Sequence, residues 1–300
     1  MTVAASLRAV EKRYPDFHLG PISFGLAPGR VRALIGPNGA GKSTAMDVLA
    51  GISRPSAGAV SVGGREVGFG DPEWKAEVGY ASEQQPFYEN WSAQRNLAFL
   101  ASFYPSWSLD AQDRLTRRFE LPLTKKVKEL SKGNRVKLAL IAALARRPRV
   151  LLLDEPTAGL DPLVRSELLD VLHEYLEDGG PAILYSTHIL SDLGRLADDL
   201  TFIRNGTIVL DSQRHELEEG WRRLTFRHAG VSLPAVTGAL LLDHRTQGSL
   251  HAAATPDFER AVDQLRALGA TNIEAQRMPL EEVAVHVLRG AAVAGGAAHA

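Results

Sequence analysis

The chain has 300 residues, 45% hydrophobic and 23% charged, with 34 Lys plus Arg against 35 Asp plus Glu and a formal net charge of -1. That balance excludes a disordered, collagen-like or coiled-coil chain, and it excludes a global basic field that would draw in nucleic acid. No cysteine is present, which removes disulfide scaffolds, thiolate metal sites and thiol catalysis.

Val31 to Ile35 reads as a strand run that enters a Gly-rich turn, and Ser43 to Ala50 as a helix stopped by Gly51 and Pro55. Residues 58–70 hold five glycines and alternating valines, which predicts a β-rich flap. Ser92 is the expected N-cap of a helix running to about Phe103. Asn134 to Arg146 is a strongly apolar helix ending before Pro148. Val150 to Leu153 is continuously apolar, as a parallel strand buried on both faces should be. Pro162 to Glu177 reads as a helix stopped by Gly179-Gly180, and Ala182 to Tyr185 as the next strand. Phe202-Ile203 and Ile208-Val209 flank Asn205-Gly206, the signature of a tight hairpin. Strands alternating with helices predict an α/β domain with a mainly parallel sheet.

The texture changes near residue 215. Arg214 to Arg223 reads as a charged helical stretch, and Leu224 to about Ala254 as short strands. Thr255-Pro256 should cap a helix with Phe258, Val262, Leu265 and Leu268 on its apolar face, closed by Gly269. Leu280 to Leu288 reads as a last helix, and residues 291–300 as a low-complexity, disordered tail. No apolar run approaches the roughly 20 residues that cross a bilayer, and the start lacks the layout of a signal peptide. The expected location is the cytoplasm, with any membrane role exerted through a partner.

Gly36-Pro37-Asn38-Gly39-Ala40-Gly41-Lys42-Ser43-Thr44 fits the phosphate-loop pattern, with a strand before it and a helix after it. Glycines let backbone N–H groups converge on a phosphate, and the helix N-terminus directs partial positive charge at the same anion. Lys42 can reach the β- and γ-phosphates, and the Ser43 hydroxyl can ligate Mg²⁺. Asp154 ends the strand Val150 to Leu153, where a carboxylate can hold Mg²⁺. Glu155, one residue on, can point at a water attacking the γ-phosphate. Ser131 is a natural N-cap for the long apolar helix.

Together with Leu130-Ser131-Lys132-Gly133-Asn134, Ala158-Gly159-Leu160-Asp161 and a strand ending at Ser186-Thr187-His188, these motifs resemble the nucleotide-binding subunit of ABC transporters. The resemblance covers about residues 5–215. It implies a P-loop NTPase fold of the ABC ATPase type over residues 1–215, with a helical signature subdomain at about 86–147 and a small C-terminal α/β extension at 216–290. It makes Leu130 to Asn134 the signature motif, whose Ser131 and Gly133 would reach ATP on a second chain. Asp161 would lie in the D-loop, and His188 would be the switch histidine. Tyr14 would stack on adenine, with Phe17 as the alternative. Glu83 falls where the family usually has the Q-loop glutamine and would approach the metal, unless Gln84 fills that role. Lys132 and Asn134 also depart from the commoner Gly and Gln.

The cofactors implied are ATP and Mg²⁺. The implied partners are a second copy or a related ATPase subunit, as a head-to-tail dimer, and an integral membrane permease subunit; no nucleic acid is implied. Wording such as Ser131-Lys132-Gly133, Phe87-Tyr88 and Phe103 to Trp107 looks like the branch with separately encoded membrane subunits, usually exporters. The aromatic stretch Phe87 to Trp107 would include the dock for that subunit. Three other readings compete. A translation ATPase would fuse two such domains, and a DNA-repair ATPase would carry a long insertion between Lys42 and Ser131. The third is a nucleotide-binding module that does not hydrolyse.

Overall fold

A computed structural model describes residues 3–71, 73–82, 86–177, 179–190, 193–229 and 240–290. The chain divides into two compact units. One is Met1–Ala197 with Ile203–Ile208; the other is Asp198–Phe202 with Val209–Ala300.

The first unit opens with β1 (Ala5–Arg13), β2 (His18–Leu26) and β3 (Val31–Ile35), followed by α1 (Lys42–Leu49), β4 (Ala57–Val62) and β5 (Arg65–Glu66). Next come β6 (Val78–Ser82), α2 (Ala93–Ala101), α3 (Leu109–Arg118) and α4 (Lys132–Leu144). Then follow β7 (Val150–Asp154), α5 (Pro162–Glu177), β8 (Ala182–Thr187) and α6 (Leu193–Leu196). β9 (Asp199–Arg204) and β10 (Thr207–Gln213), whose residues are divided between the two units, flank the turn at Asn205-Gly206.

Two sheets organise this unit. An antiparallel sheet runs in the order β2-β1-β4-β5. The parallel pairs β3–β8, β8–β7 and β7–β6 form the central layer. Val150 to Leu153 are wholly buried, so covering β7 on both faces explains its unbroken apolar run. In register, Asp154 stands opposite Ser186 on one side and Ser82 on the other. The C-terminal strand ends therefore lie level, and the chemistry collects there, as is usual for open α/β sheets.

The helical segment begins where the sequence indicates. Ser92 caps α2 by accepting from the Arg95 N–H at 3.1 Å. Ser131 caps α4 by accepting from the Asn134 N–H at 3.2 Å. α4 starts at Lys132 and ends at Leu144, two residues earlier at each end than its apolar run suggests. Val136 through Leu144 are buried.

The second unit contains α7 (Arg214–Gly220), β11 (Arg222–Arg227), β12 (Leu242–Gln247), β13 (Leu250–Thr255), α8 (Phe258–Ala267), β14 (Thr271–Arg277) and α9 (Leu280–Arg289). Its sheet runs β12-β13-β11-β14. Leu224, Phe226, Ala253, Val262 and Leu265 are among its core residues. Two expectations are corrected. The charged helix stops at Gly220 rather than Arg223, because Trp221 is buried and Arg222 pairs with both Thr255 and Arg277 in the sheet. The cap of α8 is Asp257, not Thr255-Pro256: its carboxylate accepts from the Arg260 N–H at 3.2 Å, while Thr255 still belongs to β13. Residues 230–239 and the expected tail at 291–300 lie outside the described residues.

Candidate functional site

The loop from β3 to α1 is held from beneath. A Cβ on Gly36 would sit 2.3 Å from the Ile203 carbonyl oxygen, so only glycine fits there. Gly41 caps α1 in the left-handed region, at φ 108°, and a Cβ on it would strike Leu19 and Phe17 at 2.8 and 3.0 Å. The Ala40 carbonyl accepts from the Gly206 N–H at 3.0 Å, tying the loop to the β9–β10 turn. Above the loop lies a cavity of about 350 Å³, lined by Phe17, Asn38, Gly39, Gly41, Lys42, Ser43, Thr44 and Glu155.

Lys42 is 5% exposed. Its Nζ donates to the Gly36 carbonyl at 2.8 Å and the Pro37 carbonyl at 3.2 Å. It also lies 3.1 Å from Glu155 Oε1, as an ion pair not aligned as a hydrogen bond. The other oxygen, Oε2, meets His188 Nδ1 at 2.7 Å. The structure thus gathers Lys42, Glu155 and His188, from three distant motifs, around one carboxylate.

Asp154 is held at both oxygens. Ser186 Oγ donates to Oδ1 at 2.5 Å, and the Tyr80 hydroxyl donates to Oδ2 at 3.4 Å. Burial, reinforced by the charges of Asp154 and Asp47, pushes Tyr80 well above the usual phenol range, so it keeps its proton. Burial, then the charge of Asp154, raises Asp47 on α1.

Other expected residues fall differently. Tyr14 is 44% exposed, stands with its ring 5.2 Å from Lys12 Nζ, and does not line the cavity; Phe17 does. Of the two aromatics considered for adenine, Phe17 is therefore the one whose ring approaches Gly41 and the loop. Asp161 is engaged as the cap of α5: its Oδ1 accepts from the Leu163 and Val164 N–H groups, both at 3.1 Å. Ser131 and Gly133 stand outside the cavity lining. A Cβ on Gly133 would meet Val164 at 3.3 Å, which seats the signature turn against α5. Glu83 and Gln84 lie outside the described residues. Ser186 and Tyr80 were missed as contributors, since only strand register puts them beside Asp154.

The donor set suits a nucleotide with Mg²⁺. The first turn of α1 has no acidic residue and follows a glycine N-cap, the arrangement that receives an anion. Ser43 and Asp154 offer hard oxygens. Among the described residues no group of three or more His, Asp or Glu forms a cage. Mg²⁺ takes few protein ligands and completes its shell with phosphate and water.

Residues 19–158 match the family described as ABC transporter. The chain is 33% identical to the daunorubicin resistance ATP-binding protein DrrA3 of Streptomyces coeruleorubidus, over 95% of each chain. It is 34% identical to the lantibiotic transport ATP-binding protein SrtF of Streptococcus pyogenes, over 65% of this chain and 84% of that one. A solved ATP-binding subunit of an ABC transporter superposes with a TM-score of 0.65 at 29% identity, covering 72% of this chain and 92% of that one. The near full-length likeness extends the match past the strand-end carboxylates to His188 and the C-terminal unit, and the chain belongs to the ATP-binding proteins of ABC transporters, which are ATPases.

Proposed function

We propose that this chain hydrolyses Mg-ATP to drive a membrane exporter. The observation that carries the reading is the Glu155 carboxylate, held between Lys42 and His188 at the mouth of the phosphate loop. Glu155 orients the attacking water and takes its proton, and His188 keeps the carboxylate in place. Lys42 and the N–H groups of the loop receive the β- and γ-phosphates. An anion above the loop competes with Glu155 for the Lys42 ammonium, so nucleotide binding loosens that pair. Ser43 and Asp154 would hold Mg²⁺. The ion would neutralise charge on the phosphates.

Two copies, or this chain and a related one, close head to tail. Ser131 and Gly133 of each then reach the nucleotide of the other, where the N-terminus of α4 offers positive charge to a γ-phosphate. A membrane subunit covers the aromatic face formed by Tyr88, Trp91, Phe99 and Phe103. Tyr88 and Trp91 stack at 4.2 Å, and Tyr88 and Phe103 are 52% and 62% exposed. No described helix is long and apolar enough to cross a membrane, so a peripheral cytoplasmic position on such a subunit fits. The C-terminal unit acts as an accessory. Export is supported by relatives named for drug resistance and lantibiotic transport.

Co-purification with the membrane subunit, followed by ATPase measurement, is the test. Activity that rises with transported substrate and vanishes in Glu155→Gln is expected. ATP binding without any hydrolysis would overturn the reading in favour of a non-hydrolysing module.

A further inference from the structure

We infer that Ser186 is a positioning residue for ATP hydrolysis: one buried hydroxyl fixes both the metal-binding carboxylate of Asp154 and the turn that aims Glu155. The inference rests on the roles proposed above for those two acids. Parallel register between β7 and β8 places Ser186 directly beside Asp154, and neighbours in register project from the same face of a sheet. Ser186 has no exposed surface. Its Oγ donates to Asp154 Oδ1 at 2.5 Å and accepts from the Glu155 N–H at 3.0 Å. That N–H also reaches the Ser186 carbonyl at 3.2 Å.

The second contact matters because of the backbone at Glu155. Its φ is 50°, in the left-handed region that disfavours a residue with a Cβ. This turn swings Glu155 out of the strand line and toward Lys42 and His188. A donor pinned by two acceptors of one residue holds the turn. Ser186 uses its hydroxyl hydrogen on the Asp154 carboxylate and a lone pair on the Glu155 backbone N–H, so one side chain orders both the metal-binding acid and the turn that carries Glu155. Tyr80 is the natural contrast. It reaches only the other oxygen of the same carboxylate, Asp154 Oδ2, at 3.4 Å, whereas the Glu155 N–H is taken by the Ser186 hydroxyl and carbonyl.

Partners that orient metal ligands typically change metal affinity or activity by about 10- to 100-fold when removed. The test measures affinity for a non-hydrolysable ATP analogue across a Mg²⁺ titration, together with kcat and KM, on the full-length chain. Ser186→Ala should raise the Mg²⁺ concentration for half-maximal tightening by about 10-fold. It should leave Mg²⁺-free affinity unchanged and lower kcat more than it alters KM. Ser186→Thr, which keeps the hydroxyl, should restore both. Should the alanine variant fail to fold, Ser186→Cys, similar in shape but a weak donor, is read in the same way.

A wild-type Mg²⁺ midpoint in the alanine or cysteine variant overturns the inference, as does a threonine variant that behaves like alanine. Asp154→Asn separates the two layers. If it leaves the Mg²⁺ midpoint unmoved, the metal role proposed for Asp154 fails. If it moves the midpoint while Ser186→Ala does not, only the role of Ser186 fails.

Discussion

Lys42 Nζ and Glu155 Oε1 lie 3.1 Å apart, joining the phosphate loop to the end of β7 across the sheet. The buried Lys42 side chain is surrounded by partners, two loop carbonyls and the Glu155 carboxylate. Lys42→Ala removes the cation nearest the phosphates. Hydrogen bonds to charged groups contribute about 1.5–3 kcal/mol each, so ATP affinity should fall roughly 10- to 100-fold. Titration with a labelled ATP analogue measures it, and an unchanged affinity would refute the role given to Lys42.

Glu155→Gln keeps the shape of the side chain but removes its basicity. Losing a general base costs about 10²–10⁴-fold in rate, while the phosphate contacts stay intact. The variant should bind ATP, turn it over hardly at all, and run as a dimer in size-exclusion chromatography with Mg-ATP. A monomer under saturating ATP would count against the head-to-tail arrangement.

Phe17 and Tyr14 make opposite forecasts. Base–aromatic stacking is worth about 1–3 kcal/mol per base. Phe17→Ala should therefore weaken ATP binding about 5- to 150-fold, and Tyr14→Ala should barely change it. Competition between ATP and inorganic triphosphate adds a control, since loss of stacking leaves triphosphate binding untouched. The reverse pattern would return the role to Tyr14.

The local parts of the site were legible because each is encoded in contiguous residues. Gly36 to Thr44 states its own turn, and Asp154-Glu155 follows an apolar run that can only be a buried strand. Ser92 and Ser131 announce the helices they cap. What could not be read depends on pairing between distant segments. β1 shifts register at Ala9, where φ is 48°, and this breaks the alternation that would have marked the strand. α3 buries only Ala111 and Leu115, too little to give an apolar stripe. β14 is almost wholly exposed, so it carries no alternating pattern. Ser186 looked like a strand-end serine until register placed it against Asp154. Phe17 and Tyr14 are separated by the approach of one ring to Gly41, a contact that spacing cannot reveal.

The last prediction concerns the C-terminal unit, where His244 and His251 lie edge to edge. Their ring centroids are 5.2 Å apart, their planes differ by 10°, and His244 Nε2 is 2.9 Å from His251 Nδ1. His251 Nε2 faces the His228 carbonyl oxygen at 3.3 Å. A carbonyl only accepts, so His251 carries its proton on Nε2 and accepts at Nδ1 from His244. The contact between the two rings is then a single N–H donated by His244 Nε2. Desolvation, then repulsion from His251, holds His244 below the ordinary histidine value. The flat face of Phe226 covers His251 at 5.0 Å, and the edge of the His228 ring stands 5.9 Å away. The charged residues on β11 and β12 are Arg222, Arg223, Arg227, Arg245 and Asp243, the last 3.6 Å from His286 on α9. With the folded value depressed, the unfolded chain binds more protons as pH drops through about 6.5. The stability that His244 contributes is therefore fully present above that pH and is lost progressively below it. Amide hydrogen exchange of β12 and β13 in the full chain, corrected for the intrinsic pH effect, should show weaker protection at about pH 5.5 than at about pH 7.5. His244→Gln, which can still donate to His251 but does not titrate, should flatten that dependence. Equal pH sensitivity in the variant and the wild type would place the titration elsewhere and sink the assignment.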